Sequence, residues 1–186
     1  MKRVFDIFLA TALIIFLAAV ILLIGFIVRI TSKGPIIYWS GRIGIDNKVF
    51  KMPKFRSMRF DTPEIATHLM KNPNAFFSPV GGLLRRTSLD ELPQLFSILK
   101  GDMSFVGPRP ALYNQDDLIE LRKIKGIDKI KPGVTGLAQV SGRDDLSIED
   151  KVTFDEKYIE LQSFWFDLKI LWLTLIKVIK GDNVSH

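Results

Sequence analysis

The chain has 186 residues, of which 47% are hydrophobic, and its 26 basic and 20 acidic side chains give a formal net charge of +6. It contains no cysteine, which excludes disulfides and thiolate metal sites and agrees with a reducing compartment. The positive charge favours an anionic lipid surface or a phosphorylated substrate as partner, and the roughly 150 residues beyond the N-terminal region suffice for one compact domain.

The first feature in chain order is an apolar run at residues 7–28, whose one interior polar side chain is Thr11 and which has cations on both flanks. As a helix it would reach roughly 33 Å at about 1.5 Å per residue, enough to cross the hydrocarbon core once. A secretory signal would be shorter and would end at a small-residue cleavage site. Positive charge at both ends favours a re-entrant helix that returns to the same membrane face, whereas hydropathy alone favours a single span.

The rest of the chain alternates short elements. Strands at residues 36–40 and 49–52, joined by a loop rich in Gly, Asp and Asn, predict a β-hairpin. Helices are predicted at residues 62–72, 90–99, 112–125, 147–162 and 164–180. The predicted fold class is therefore α+β and mainly helical, with a membrane helix and its flanks at residues 1–34 and one compact domain at residues 35–186.

Two connections and the last helix are candidate surfaces for ligands and lipid. Prolines stiffen the connections at residues 107–110 and 131–136 and glycines expose their backbone, so we expect ligand contacts there. The last helix is amphipathic, and Trp165, Trp172 and its lysines suit the headgroup zone of a membrane. The same pattern fits a helix packed on the domain core, and both interpretations stay open.

The segment at residues 85–95 carries the most chemistry. Asp90 and Glu91 stand at the predicted start of a helix, with two arginines about one turn upstream. A purely structural interpretation is that Asp90 caps the helix, Glu91 complements its dipole and Pro93 occupies its first turn. The functional interpretation is that the helix N-terminus and the arginines bind phosphate, while an aspartate placed there binds a divalent metal or attacks phosphorus.

Four sequence blocks carry a family resemblance. They lie at residues 54–58, 86–94, 99–110 and 132–140, the last followed by Gly142-Arg143. With these blocks in this order, the chain resembles the small monotopic phosphoglycosyl transferases of the bacterial sugar transferase family, from Lys2 to Gly181. The resemblance implies an enzyme of the bacterial cytoplasmic membrane with its catalytic domain on the cytosolic face.

The resemblance also implies a reaction and a set of residues. Asp90 would attack the β-phosphorus of a UDP-sugar and release UMP, and polyprenyl phosphate would then take the phosphosugar from the carboxylate. Asp90 would also bind the expected cofactor, Mg²⁺, and Glu91 would position the metal or deprotonate the acceptor. The implied substrate-binding residues are Lys54, Arg85, Arg109, Gln139 and Arg143. Short segments of the chain, at residues 61–63, 66–67 and 142–145, resemble those of initiating enzymes that use 2-acetamido sugars. UDP-glucose and UDP-galactose are the alternative donors.

One departure from the family concerns the membrane helix. Related chains commonly carry Ser-Pro near its middle, which breaks the helix, and this chain has Ala18-Ala19 at that place. Without a proline the local cause of a kink is missing, so Gly25, thinning of the bilayer or packing against the last helix would have to supply the bend.

The same residues also bear on other classes of protein and partner. A non-catalytic, membrane-anchored assembly protein would not need Asp90, Glu91 and Arg109. Nucleic acid is not an expected partner, because the basic stretch at residues 51–59 offers only Phe55 for stacking. The histidines, His68 and His186, lack the spacing of metal ligands. Membrane lipids are expected partners, and the sequence leaves homo-oligomer formation open.

Overall fold

The computed structural model describes residues 1–60, 62, 73–142 and 145–180. Almost all of the helix predicted at residues 62–72 lies outside the described residues, as do Arg143 and both histidines. The α-helices within them are α1 Lys2–Phe16, α2 Ala18–Thr31, α3 Gly81–Arg86, α4 Gln94–Lys100, α5 Asp116–Ile124, α6 Leu137–Ser141, α7 Ile148–Leu161 and α8 Phe164–Lys180. The strands are β1 Ile37–Ile43, β2 Val49–Phe55, β3 Ser104–Val106 and β4 Gly133–Thr135, so the mainly helical fold with a small hairpin is confirmed.

The apolar run forms two helices, not one. α1 and α2 meet at Leu17 and are bent by 64° relative to each other. Of the helices in the described residues, none alone is long and apolar enough to cross a membrane; by length and composition, the bent pair together could. The bend stands immediately before Ala18, so the chain bends at this place although the local cause, a proline, is missing. Gly25 lies inside α2, whereas Leu17 leaves the helical range with φ −95° and ψ 6°.

The first turn of α1 is tied to the rest of the protein by polar contacts. Lys2 forms an ion pair with Asp167 on α8. Arg3 donates hydrogen bonds to the carbonyl oxygens of Ile98 and Leu99 at the end of α4, at 2.5 and 2.8 Å. A contact of α1 with the last helix, which we predicted as one source of the bend, is therefore present at the first turn of α1, where Phe5 also meets Phe164.

β1 and β2 pair antiparallel, and each strand extends beyond its predicted end. Tyr38 is opposite Lys54, and Arg42 is opposite Phe50. Since side chains alternate between the two faces of a strand, Tyr38 and Arg42 share one face with Lys54. This face of the hairpin forms one wall of the site described below.

β3 and β4 form a parallel pair that the sequence did not predict, because each strand has three residues and is bordered by glycine and proline. A Cβ on Gly107 would lie 2.5 Å from the carbonyl oxygen of Lys131, and a Cβ on Gly133 would lie 2.2 Å from the amide nitrogen of Gly107. Only glycine permits this approach. The pairing brings together the two stiff connections in which ligand contacts are expected.

The other predicted helices are present, but α4 and α5 each begin four residues later than predicted. α4 ends at Gly101, whose φ of 100° suits glycine, and Ser147 caps α7 through the amide of Asp150. α8 has the predicted bounds. α5 begins four residues later than predicted, because Leu112 instead forms a β-bridge with Arg42.

Residues from α1, α4, β3, α7 and α8 form the main apolar core. Ile98, Met103, Val106, Tyr158 and Ile170 are fully buried in it. α4 begins three residues after Glu91, so this core fixes the helix that follows the carboxylate pair.

Candidate active site

Asp90 and Glu91 lie in a 3₁₀ turn, Leu89–Glu91, between α3 and α4. Ser88, with φ 56°, turns the chain into it, and Asp90 is 5% exposed. Neither this turn nor α4 has a hydrogen bond from a capping side chain. The cap interpretation of Asp90 is therefore wrong, and the burial of this carboxylate needs another explanation.

Glu91 is fixed by two cations. Its Oε1 accepts hydrogen bonds from Lys54 Nζ on β2 at 2.7 Å and from Arg109 Nη2 at 3.0 Å. Burial raises the pKa of Glu91, but Lys54 and Arg109 outweigh burial and hold the pKa well below its usual range. Glu91 is therefore a charged anchor for both cations.

Asp90 has a different environment although it is the neighbouring residue. Burial raises its pKa above the ordinary aspartate value, and the charge of Glu91 adds to this effect, while Lys54 opposes it. Within the described residues its carboxylate forms no ion pair. The two carboxylates are thus differentiated: Glu91 is committed to protein cations, and Asp90 is left for a ligand.

Arg85 is directed into the site by its surroundings. Its Nη1 contacts the Met58 sulfur at 3.3 Å, and its guanidinium lies over the Phe77 ring, 5.4 Å from the ring centre. Its charge lowers the pKa of Asp90. The neighbouring Arg86 is exposed to solvent.

Two guanidinium groups form hydrogen bonds with the backbone of the Arg109 loop. The carbonyl oxygen of Arg109 accepts a hydrogen bond from Arg122 Nη1 at 2.8 Å, and the carbonyl oxygen of Pro110 accepts one from Arg42 Nη1 at 3.1 Å. Arg122 is itself paired with buried Asp155, at 2.6 Å. The stiff loop therefore has a fixed position beside Glu91.

Arg42, Arg122 and Asp155 were missed in the sequence. The alternation of side chains along β1 could have placed Arg42 on the face that carries Lys54. The pairing of Arg122 with Asp155 joins α5 to α7, and no local pattern predicts such a long-range contact.

Gln139 lies on α6, close to the backbone of the Arg109 loop. A Cβ on Gly136 would be 2.8 Å from Gln139 Oε1 and 2.1 Å from the Gly107 carbonyl oxygen. Both polar atoms of the Gln139 amide are buried and lack a hydrogen-bond partner among the described residues. Buried amides are nearly always paired, so this side chain is suited to a ligand.

The structure thus brings Lys54, Arg85 and Arg109 around the Asp90 and Glu91 pair, as predicted. Among the described residues, no group of three or more His, Cys, Asp and Glu side chains could hold a metal ion. Mg²⁺ commonly takes one or two carboxylates and completes its shell with water and substrate phosphates. Asp90, which forms no ion pair within the described residues, fits that type of shared site.

Lysine and arginine are the side chains with which proteins bind phosphate groups, and three of them surround this pair of carboxylates. The chain matches the family model described as bacterial sugar transferase over residues 1–181, and it belongs to that family.

Several relatives of the chain are named for an activity. The chain is 42% identical to the UDP-glucose:undecaprenyl-phosphate glucose-1-phosphate transferase of Escherichia coli, over 95% of this chain and 40% of that protein. It is 37% identical to the undecaprenyl-phosphate galactose phosphotransferase of Salmonella typhimurium, over 98% of this chain and 41% of that protein. It is also 37% identical to an uncharacterised sugar transferase of Bacillus subtilis, over 100% of this chain and 91% of that protein. The chain therefore spans about two fifths of the length of the first two relatives.

Proposed function

We propose that the protein is a transferase that moves a sugar 1-phosphate from a UDP-sugar to polyprenyl phosphate, giving a polyprenyl-diphosphate-linked sugar and UMP. The observation that carries this proposal is the buried Asp90 carboxylate, which forms no ion pair with any residue that the structure describes. Its neighbour Glu91 is held by Lys54 and Arg109. The activities for which the Escherichia coli and Salmonella relatives are named support this reaction.

The transfer proceeds in two steps through Asp90. A carboxylate oxygen of Asp90 attacks the β-phosphorus, the bond from that phosphorus to the bridging oxygen breaks, and UMP leaves with the electron pair. A phosphate oxygen of the polyprenyl acceptor then attacks the same phosphorus and frees the aspartate. Two anionic substrates thereby meet the site one after the other, which lowers the charge that it must hold at any moment.

The separate roles of the two carboxylates support this assignment. Glu91 stays ionised and holds the charges of Lys54 and Arg109 beside Asp90, where they would attract the phosphates of a substrate. Asp90 is free to form a covalent bond because no salt bridge must break first. Mg²⁺ held by Asp90 and by substrate oxygens would neutralise charge on the diphosphate.

We further propose that the α1 and α2 pair is a re-entrant element, so that both its ends lie on the cytosolic face of the bacterial cytoplasmic membrane. Lys2 and Arg3 at one end contact α8 and α4. At the other end, Ile24 and Val28 pack with Phe55 of the hairpin. A straight span would carry Lys2 to the opposite membrane face, far from these partners.

The exposed side of α8 supports contact with the same membrane. Trp165 and Trp172 are 77% and 63% exposed, and Lys177 and Lys180 stand in the last turn of the helix. Tryptophan and lysine prefer the headgroup zone, so the helix is suited to lie in it.

The donor sugar has two candidate classes. Features of the sequence favour a 2-acetamido sugar, whereas the names of the relatives support glucose or galactose. The two classes differ by one substituent at carbon 2, so a panel of UDP-sugars distinguishes them directly.

The test is UMP release by the purified full chain with Mg²⁺, a short polyprenyl phosphate and each UDP-sugar in turn. We expect UMP and a lipid-linked sugar in equal amounts with at least one donor, and neither from the Asp90→Asn variant. Absence of UMP with every donor would overturn the proposal and favour a non-catalytic assembly protein.

A further inference from the structure

Arg42 stands at the edge of the site without an assigned role. Its Nε donates to Ser40 Oγ at 3.0 Å, and its Nη1 donates to the Pro110 carbonyl oxygen at 3.1 Å. A β-bridge between Arg42 and Leu112 fixes the backbone. The guanidinium is therefore held in place beside the Arg109 loop, with two of its five N–H groups used.

The described residues balance the charge of this guanidinium only in part. No carboxylate in the described part of the chain forms an ion pair with Arg42, and the nearby Glu91 already accepts hydrogen bonds from Lys54 and Arg109. Burial lowers the pKa of Arg42 to about 10, and the charge of Arg109 adds to this effect. Arg42 is thus still protonated at neutral pH, and a half-buried cation of this kind is stabilised by an anion that pairs with it.

We propose that Arg42 is a phosphate-binding residue of the donor site and contacts the diphosphate of the UDP-sugar. This inference rests on the proposed function. The planar guanidinium presents its remaining N–H groups as a fork that fits phosphate oxygens, and its anchors at Ser40 and Pro110 fix the direction of the fork before the ligand arrives.

The position of Arg42 along β1 selects the donor and not the lipid acceptor. The Ile37 end of the hairpin packs against α2, the element proposed to enter the membrane. Arg42 is five residues further along the strand, about 17 Å away at roughly 3.3 Å per residue. The acceptor phosphate arrives from the bilayer side, whereas the nucleotide arrives from the cytosol, where Arg42 lies.

The experiment measures UMP and UDP binding to the full-length chain by calorimetry, together with KM for each substrate. We expect Arg42→Gln to weaken UMP and UDP binding about tenfold to hundredfold and to raise KM for the UDP-sugar, with KM for polyprenyl phosphate unchanged within about twofold. Arg42→Lys keeps the charge but not the fork, so it should lose about three- to tenfold. If Arg42→Gln does not fold, the lysine variant carries the test.

The matched control is Asp46→Asn. It removes the 3.0 Å ion pair of Asp46 with Lys129 at the hairpin tip, so it loosens the hairpin without touching the site. We expect UMP binding of wild-type strength from it. UMP binding by Arg42→Gln or Arg42→Lys equal to wild type, or an equal loss in the Asp46→Asn control, would overturn the role of Arg42. Failure of the wild-type chain to release UMP from any UDP-sugar would instead overturn the proposed function itself.

Discussion

Arg122 donates a hydrogen bond from Nη1 to the backbone carbonyl of Arg109, at 2.8 Å, while its other N–H groups bind the Asp155 carboxylate. The ion pair of Arg122 on α5 with Asp155 on α7 therefore fixes the backbone of Arg109, whose side chain contacts Glu91. The position of Arg109 depends on helices that are distant in sequence from the carboxylate pair. This relationship leads to the first prediction.

Asp155→Asn should lower the free energy of unfolding by about 3–5 kcal/mol, because it leaves Arg122 buried without its counter-ion. Glu156→Gln is the control, since it removes the exposed ion pair of Glu156 with Lys125 between the same two helices. That change should cost less than about 1 kcal/mol. Denaturant unfolding of the three proteins decides the matter, and equal losses in the two variants would show that the buried pair is not special.

Arg109→Lys should lose far more activity than a conservative change normally does. A lysine cannot bind Glu91 and phosphate oxygens together as a planar fork can. The expected loss in kcat/KM for the UDP-sugar corresponds to about 1.5–3 kcal/mol, the size of a charge-assisted hydrogen bond. Arg86→Lys, at the exposed neighbour of Arg85, is the control and should behave as wild type. A loss below about threefold for Arg109→Lys would place this residue away from the phosphates.

The acid limit of activity should lie at a higher pH than an ordinary aspartate would give. Asp90 must be ionised to attack, and burial raises its pKa, so lowering the pH protonates it earlier than usual. Glu91 does not set this limit, because its pKa is held well below the usual range. The profile of kcat/KM against pH, with folding checked by circular dichroism, measures the limit. Full activity down to about pH 4 would contradict the environment assigned to Asp90.

A cysteine at Met1 tests the re-entrant arrangement of α1 and α2. The chain is free of cysteine and Met1 is 99% exposed, so a new thiol there is accessible in the purified protein. In intact cells we expect it to be shielded from a membrane-impermeant thiol reagent and to react only after lysis. A cysteine at the exposed Lys123 of the main domain is the control and should show the same pattern. Labelling at position 1 in intact cells, with shielding at position 123, would indicate a straight span.

The sequence predicted best what depends on local patterns. The last helix, the start of α7 and the hairpin follow from local patterns, and the Asp90 and Glu91 site with its three described cations follows from the family motifs. Elements that depend on distant partners were missed. The β3 and β4 pair is too short to show a period, and α5 is shortened because Leu112 joins β1. The bend at Leu17 could not be predicted, because no proline or glycine stands there. Both ends of the helix pair contact the rest of the protein.

The central claim is that Asp90 carries the phosphosugar covalently, and the mass of the intact protein tests it most directly. The wild-type chain, mixed with its UDP-sugar and Mg²⁺ but no acceptor, should release about one UMP per protein and gain the mass of one sugar phosphate. Peptide analysis should place that mass on Asp90, and later addition of polyprenyl phosphate should remove it. The Asp90→Asn variant, whose amide cannot form the acyl phosphate, should show neither the burst nor the adduct. UMP release that requires the acceptor, with no adduct at any time, would contradict the covalent mechanism and indicate direct transfer between the two substrates.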